Sequence, residues 1–295
     1  MRTRFIARLA VFIVMAGVVA GASLSARPKL KSVAGIAPIA WVVNQVGGER
    51  VEVSVLLPAG ASPETYSPAP QHLVKLSDAR ILFTVGVPFE ERLAERVRDF
   101  AKDITISNVA NGIGLRHFDD QDDGHGHGTA DPHVWLDPIQ MYTVVENVVA
   151  ALTAEDPEGS AYYRSRADST LSILHGLDIE IKSMLKPFAG RGVYVYHPSF
   201  GYFTDRYHLK QIAIEREGKE ASAKQLGELI AEAKKNGTHT LFSQPQFSRK
   251  QAEIVAREIG ATVVIVDPLS ESYLGMMRNL AMQVAQSFRT AEVPQ

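Results

Sequence analysis

Between Pro157 and Lys186 the chain reads PEGSAYYRSRADSTLSILHGLDIEIKSMLK. Ala167, Leu171, Leu174, Leu177, Ile181 and Met184 recur at steps of three and four, the spacing that gathers side chains on one face of an α-helix. Pro157 suits a first turn, where no backbone N–H is needed, and Pro187 cannot continue the helix. At 1.5 Å per residue such a helix is roughly 45 Å long, enough to run the length of two small lobes. On either side of it, short β-branched runs alternate with longer helical patterns, as parallel sheets covered by helices require. Candidate strands before it are Val51–Leu57, Ile81–Val85 and Ile104–Asn108; after it they are Val193–Tyr196, Gln211–Ile214, Thr240–Ser243 and Thr262–Val266. Helical stretches near Ala223–Lys235 and Ser248–Ile259 separate the later ones. The expected fold is therefore α/β: two small lobes with mainly parallel sheets, 27–156 and 187–295, joined by one long helix over 157–186. A single stiff connector limits how far the lobes can part.

With 295 residues, 45% of them hydrophobic and 22% charged, the chain can build one large core or two smaller ones. Arg2, Arg4 and Arg8, then an apolar run from Leu9 to Ala20, then small residues through Ala26 form the three-part pattern of a secretory signal over residues 1–26. The apolar run is short for a bilayer span, and cleavage is expected after Ala22 or near Ser25 or Ala26. There is no cysteine, which excludes disulfides, thiolate metal sites, catalytic thiols and a cysteine-borne lipid anchor. The expected product is exported and free in a bacterial periplasm. Removing the leader takes away three arginines and no acids, moving the formal charge from −2 to −5, which gives no electrostatic case for nucleic acid.

Without thiolates, a tight transition-metal site must use imidazole nitrogen and carboxylate oxygen. His197 directly follows the strand Val193–Tyr196, and Asp267 directly follows Thr262–Val266, so both fall at the carboxyl edge of a sheet, where α/β proteins bind ligands. His133 lies in Asp131-Pro132-His133-Val134-Trp135-Leu136-Asp137-Pro138, whose prolines restrict the backbone. No short ligand spacing links the three. Residues 117–128, which hold four aspartates and His117, His125 and His127 among glycines, cannot supply a core and are expected to be a surface loop that collects divalent ions weakly. Trp41 and Trp135 are expected in core or cleft walls, and Ile214–Glu220 as a solvated turn whose charges neutralise one another.

Several short motifs point to a family. Gly60-Ala61-Ser62-Pro63-Glu64-Thr65-Tyr66-Ser67-Pro68, Leu76-Ser77-Asp78-Ala79, Val85-Gly86-Val87-Pro88-Phe89-Glu90 and Asp131-Pro132-His133-Val134-Trp135-Leu136 come first. Tyr196-His197-Pro198-Ser199-Phe200-Gly201-Tyr202-Phe203, Phe242-Ser243-Gln244-Pro245-Gln246-Phe247-Ser248 and Val266-Asp267-Pro268-Leu269 follow in order. On these the mature chain resembles the solute-binding proteins of bacterial zinc and manganese ABC importers, the family of the zinc-uptake periplasmic receptors. The resemblance implies a metal held in the cleft between the lobes, an ABC permease as partner, a monomer and no catalysis.

Carried over residue by residue, the resemblance places metal ligands on His133, His197 and Asp267. Its first ligand does not carry over cleanly: where many members have histidine, this chain has Glu64, and the nearest histidine, His72, lies eight residues on in the next expected helix. Glu64 is preferred, with His72, water or a loop side chain as alternatives. Two imidazoles and two carboxylates form a harder set than three imidazoles, so Zn2+ leads and Mn2+ is the alternative. A zinc hydrolase is the rival class, since two histidines and a carboxylate also form a catalytic ligand set, but the helical pair of histidines with an intervening glutamate is missing. Relatives described as metal-dependent adhesins share this fold, and sequence does not separate adhesion from transport.

Overall fold

The computed structural model describes residues 28–101, 103–118, 130–216, 219–220 and 223–290. The expected leader and the loop histidines His125 and His127 lie outside them. Strands β1 (Leu30–Ala34), β2 (Val51–Val55), β3 (Ile81–Thr84) and β4 (Thr105–Asn108) form one parallel sheet in the order β2-β1-β3-β4. Helices α1 (Ala37–Gly47), α2 (Pro70–Ser77), α3 (Pro88–Phe100) and α4 (Gln140–Glu155) alternate with these strands or follow them. After a 3₁₀ turn at Pro157–Gly159, α5 runs over Ser160–Leu185.

The second sheet is also parallel, in the order β10-β9-β5-β6. It contains β5 (Gly192–Val195), β6 (Lys210–Ala213), β9 (Thr240–Ser243) and β10 (Thr262–Ile265). A short antiparallel pair, β7 (Glu215–Arg216) with β8 (Lys219–Glu220), follows β6. Helices α6 (Gly201–Arg206), α7 (Ala223–Lys235), α8 (Arg249–Ile259) and α9 (Tyr273–Thr290) complete the chain. All seven strands expected from the sequence are present to within two residues at each end, β2 stopping at Val55 where Leu57 was expected, and β1 is an addition. Two four-stranded parallel sheets with a long helix make the two-lobed α/β architecture.

The stripe on α5 is built from Tyr163, Ala167, Thr170, Leu174, Leu177, Ile181 and Leu185, all buried, with Leu171 and Met184 half-buried beside it. Asp178 lies on the same face, and its carboxylate is matched by Arg206 of α6 in two hydrogen bonds of 2.9 and 2.7 Å. Such a fork-to-fork pair satisfies a buried charge in both geometry and sign. α1, α4 and α9 all pack on α5. One apolar core therefore runs from Val33, Ile81 and Phe83 in the first sheet, across α5, to Val193, Phe200 and Phe203 in the second half. A smaller cluster, including Tyr194, Leu241 and Ile259, lies beneath α7 and α8.

Trp135, fully buried, joins the halves at the cleft floor: its indole N–H donates to the Pro268 carbonyl at 2.9 Å, and the Tyr273 hydroxyl donates to the Trp135 carbonyl at 2.9 Å. Trp41 packs on Tyr273 with ring centroids 4.8 Å apart. The motif at Val85–Glu90 has a local explanation. One oxygen of the buried Glu90 carboxylate accepts from the Val85, Gly86 and Val87 amides at 2.8, 2.9 and 3.2 Å, and Gly35 leaves the carboxylate room. That turn orients α3, whose Arg92 donates to the Glu64 and Tyr66 carbonyls at 3.3 and 3.1 Å and so holds the loop after β2.

Because the α5 stripe is shared by both halves, cutting into it should weaken the whole molecule. Leu174→Ala is expected to cost about 2–5 kcal/mol, whereas Ile173→Ala, on the exposed side of the same turn, should stay within about 0.5 kcal/mol. Urea unfolding of the metal-free protein measures both. Equal losses would show that the stripe is not the shared core.

Candidate metal centre

Parallel strands deliver their following residues to one edge of a sheet, and here both sheets turn that edge to the cleft. Glu64 sits in the loop after β2, His133 in the segment between β4 and α4, and His197 two residues beyond β5. Glu64, His133 and His197 each offer a donor atom, and the three atoms lie within 4.8 Å of one another. Donors about 2.0–2.1 Å from a tetrahedral zinc are about 3.4 Å apart. The His197 Nε2 to Glu64 Oε1 separation of 3.5 Å already matches such an edge. Together with Trp135, Ser199, Gln246, Phe247 and Pro268 these residues line a cavity of about 20 Å³, room for a single ion or water.

Each imidazole is oriented by a carboxylate on its far nitrogen. Asp131, fully buried, accepts from the His133 backbone amide at 3.0 Å and lies 2.7 Å from His133 Nδ1. Glu215, also buried, lies 3.3 Å from His197 Nδ1. An Nδ1–H held by a carboxylate leaves Nε2 as the lone-pair nitrogen, the arrangement that metal-binding histidines use. His197 Nε2 is buried and has no hydrogen-bond partner, an orphaned atom that a cation would satisfy. The His133 and His197 rings meet edge to face with centroids 5.7 Å apart, and Phe247 stacks on His197 at 4.5 Å.

Electrostatics follow from this crowding. Burial opposes charge on His197, but Glu215 and Glu64 outweigh it and push the imidazole up to about 9. Burial likewise opposes ionisation of Glu64, yet His197 and a hydrogen bond from the Ser62 hydroxyl bring its carboxyl down to about 2.

The other sequence candidates fall elsewhere. Asp267 follows β10 as expected, but its Oδ1 accepts from Gln246 Nε2 at 2.8 Å and from the Leu269 amide at 3.0 Å, and it is neither among the three clustered donors nor among the residues lining the cavity. His72, on α2, has its Nδ1 2.6 Å from the Tyr66 hydroxyl and is not part of the cluster. His117 is exposed and bridges Ala130 at the stem of the acidic segment. One expectation is corrected: Ile214–Glu220 is not simply a solvated turn, because Glu215 is buried against His197.

A family model described as the zinc-uptake complex component A, periplasmic, matches residues 33–287. The chain belongs to this family. A crystal structure of ZnuA is 33% identical, with a TM-score of 0.83, covering 88% of this chain and 99% of that one. The high-affinity zinc uptake system protein ZnuA of Bacillus subtilis is 26% identical over 84% of this chain and 81% of its own. The zinc-binding protein AdcA of Streptococcus pyogenes is 28% identical over 83% of this chain, which spans about half of AdcA. Among the described residues, no helix is long and apolar enough to cross a membrane.

In a receptor family of this kind a metal must displace whatever proton the ligands carry. Near pH 7 His197 is a cation before metal binds, so zinc binding is expected to expel about one proton per ion. Calorimetry in buffers of differing ionisation enthalpy reads that number, and a value near zero would refute the charged imidazole. The sign for stability runs the same way. The raised His197 value makes its contribution full below its ordinary 6.5 and lost as pH rises through about 9. The lowered Glu64 value makes its contribution full above 4.5 and lost as pH falls through about 2. Metal-free protein should therefore lose thermal stability between pH 6.5 and 9, less so in Glu64→Gln.

Proposed function

We propose that the chain is an exported, soluble receptor that captures one Zn2+ in the cleft and hands it to the ABC permease of an importer, as a monomer and without catalysing a reaction. The observation that carries this reading is the buried, unpartnered His197 Nε2, set 3.5 Å from Glu64 and beside His133 in a cavity sized for one ion. The ligand set we propose is His133, His197 and Glu64, completed by Asp267. The Asp267 carboxylate has both of its hydrogen bonds on Oδ1, which leaves Oδ2 to turn toward an ion. Glu64 is preferred to His72 because the latter is engaged by Tyr66. The lobes would be 27–156 and 187–295, with 157–186 between them, and the segment 117–128 would raise local metal concentration through His117, His125 and His127.

Zinc is preferred to manganese because at equal geometry its affinity for nitrogen and oxygen donors is the greater. Competition titration with elemental analysis should find about one tightly held ion per chain, zinc displacing manganese; manganese winning at equal free concentration would reassign the cargo. Stoichiometric, chelator-sensitive binding without turnover separates this reading from a zinc hydrolase.

The ligands separate by substitution. Losing a metal bond should weaken zinc by more than the roughly 10- to 100-fold typical of a residue that merely orients a ligand. Glu64→Ala, His133→Ala and His197→Ala are expected to do so, Asp267→Ala as well, and His72→Ala to stay near the parent. Deleting 118–128 should leave the tightest dissociation constant almost unchanged while removing weaker binding. A large loss from His72→Ala with none from Glu64→Ala would move the first ligand onto α2.

A further inference from the structure

Arg116 is not part of any metal-ligand reading, yet it sits where the two lobes and the His133 segment meet. Its Nη1 donates to Asp131 Oδ2 at 3.3 Å, while Oδ1 of the same buried carboxylate serves the His133 amide and imidazole. The Arg116 Nε donates to Asp205 Oδ2 at 2.8 Å, and its backbone amide donates to the Tyr202 hydroxyl at 2.8 Å. That hydroxyl in turn reaches the Asp131 carbonyl at 3.2 Å, and the Asp131 amide donates to the Arg116 carbonyl at 2.8 Å. Tyr202 and Asp205 both belong to α6, which begins four residues after His197. Gly201 permits the close approach: a Cβ there would stand 2.4 Å from Arg116 Nη1.

We infer that Arg116 is a positioning residue for the metal centre, which fixes Asp131 and through it the His133 imidazole while anchored on the helix that follows His197. The inference rests on the reading of His133 as a ligand. Its logic is that a carboxylate with no exposure must divide its oxygens among donors, and here one oxygen takes the imidazole and the other the guanidinium. Remove the guanidinium and Oδ2 is left without its cation, free to swing and take Oδ1 away from His133. The planar guanidinium also spans two carboxylates, Asp131 and Asp205, which a single ammonium cannot do with the same geometry. The two histidines, on different lobes, are thereby held in register before any ion arrives.

The test is a double-mutant cycle on the full chain, with zinc dissociation constants from chelator competition. Arg116→Met and Asp131→Asn are each expected to weaken zinc by about 10- to 100-fold. The double variant should be no weaker than Asp131→Asn alone to within about threefold, because Arg116 acts through Asp131. Arg116→Lys should fall between parent and Arg116→Met. An unchanged constant in Arg116→Met overturns the inference, and so do additive losses, which mark an arginine that only stabilises the fold. Should Arg116→Met fail to fold, Arg116→Lys and Asp205→Asn decide: weaker zinc in both supports the role and parent-like zinc in both overturns it. His133→Ala keeps the two readings apart. Zinc binding that survives it sinks the ligand assignment and this inference with it, whereas binding lost there but intact in Arg116→Met sinks only the inference.

Discussion

A carboxylate withdrawn from water needs positive charge or hydrogen-bond donors close by, and this cleft gathers three of them, Glu64, Asp131 and Glu215, around two imidazoles. Before metal binds, the arrangement balances itself by holding His197 protonated between Glu64 and Glu215, with Arg116 answering Asp131. Both partnerships are compromises. The proton on His197 sits where a lone pair would be needed, and Nε2 stands too far from Glu64 for a good hydrogen bond. A divalent cation at the same point would meet Glu64 and both imidazoles at once, with Asp131 and Glu215 on the far nitrogens. The centre is thus organised around a charge that a proton supplies incompletely.

That organisation depends on a scaffold that does not yield. The loop after β2 brings Glu64, and the end of β5 brings His197, to the cleft, but these alone would leave the gap between them adjustable. The continuous core through α5 and the contacts of Trp135 with Pro268 and Tyr273 bind the two halves across the floor of the cleft. Arg116 does the same on the His133 side. What remains free to adapt is the rim. The loop carrying Glu64 is held by Arg92, Tyr66 and Ser62 among others, and Asp267 by Gln246 and its own turn.

Much of this was legible in the sequence because parallel strands and amphipathic helices announce themselves by period. The α5 stripe and seven strands could be read that way, and His197 and Asp267 acquired meaning from following strands directly. β1 escaped because Leu30–Ala34 begins only a few residues after the expected leader, with no helical pattern before it to set it off. Yet it is an inner strand of its sheet. Glu215 escaped for a different reason. In sequence it is one acid among alternating charges, and only in the fold does its amide bond to the Tyr196 carbonyl at 2.8 Å and its carboxylate come beside His197. Asp131 was visible within its motif, but its task is set by a contact to Arg116, fifteen positions away in sequence and across a loop. His197 and Asp267 fall at predictable places on a sheet; Asp131 and Glu215, which orient the imidazoles, depend on tertiary contacts that no period encodes.

Glu64 shows what a single exchange of donor does to such a centre. With an imidazole at that position, two neutral histidines and a third would leave a bound divalent ion with its charge offset by Asp267 alone. With Glu64 and Asp267 as the proposed carboxylate ligands, a complex of two imidazoles, two carboxylates and one divalent ion would be formally neutral. Neutrality matters because the ion is enclosed by Trp135, Phe247 and Pro268, where residual charge is poorly solvated. The same exchange hardens the donor set and so relaxes discrimination against manganese. Part of that loss would be countered by His133 and His197, since imidazole donors suit zinc. In the ligand set proposed above, charge balance and metal choice would pull on Glu64 in opposite directions, with Asp131 and Glu215 holding the two imidazoles from behind.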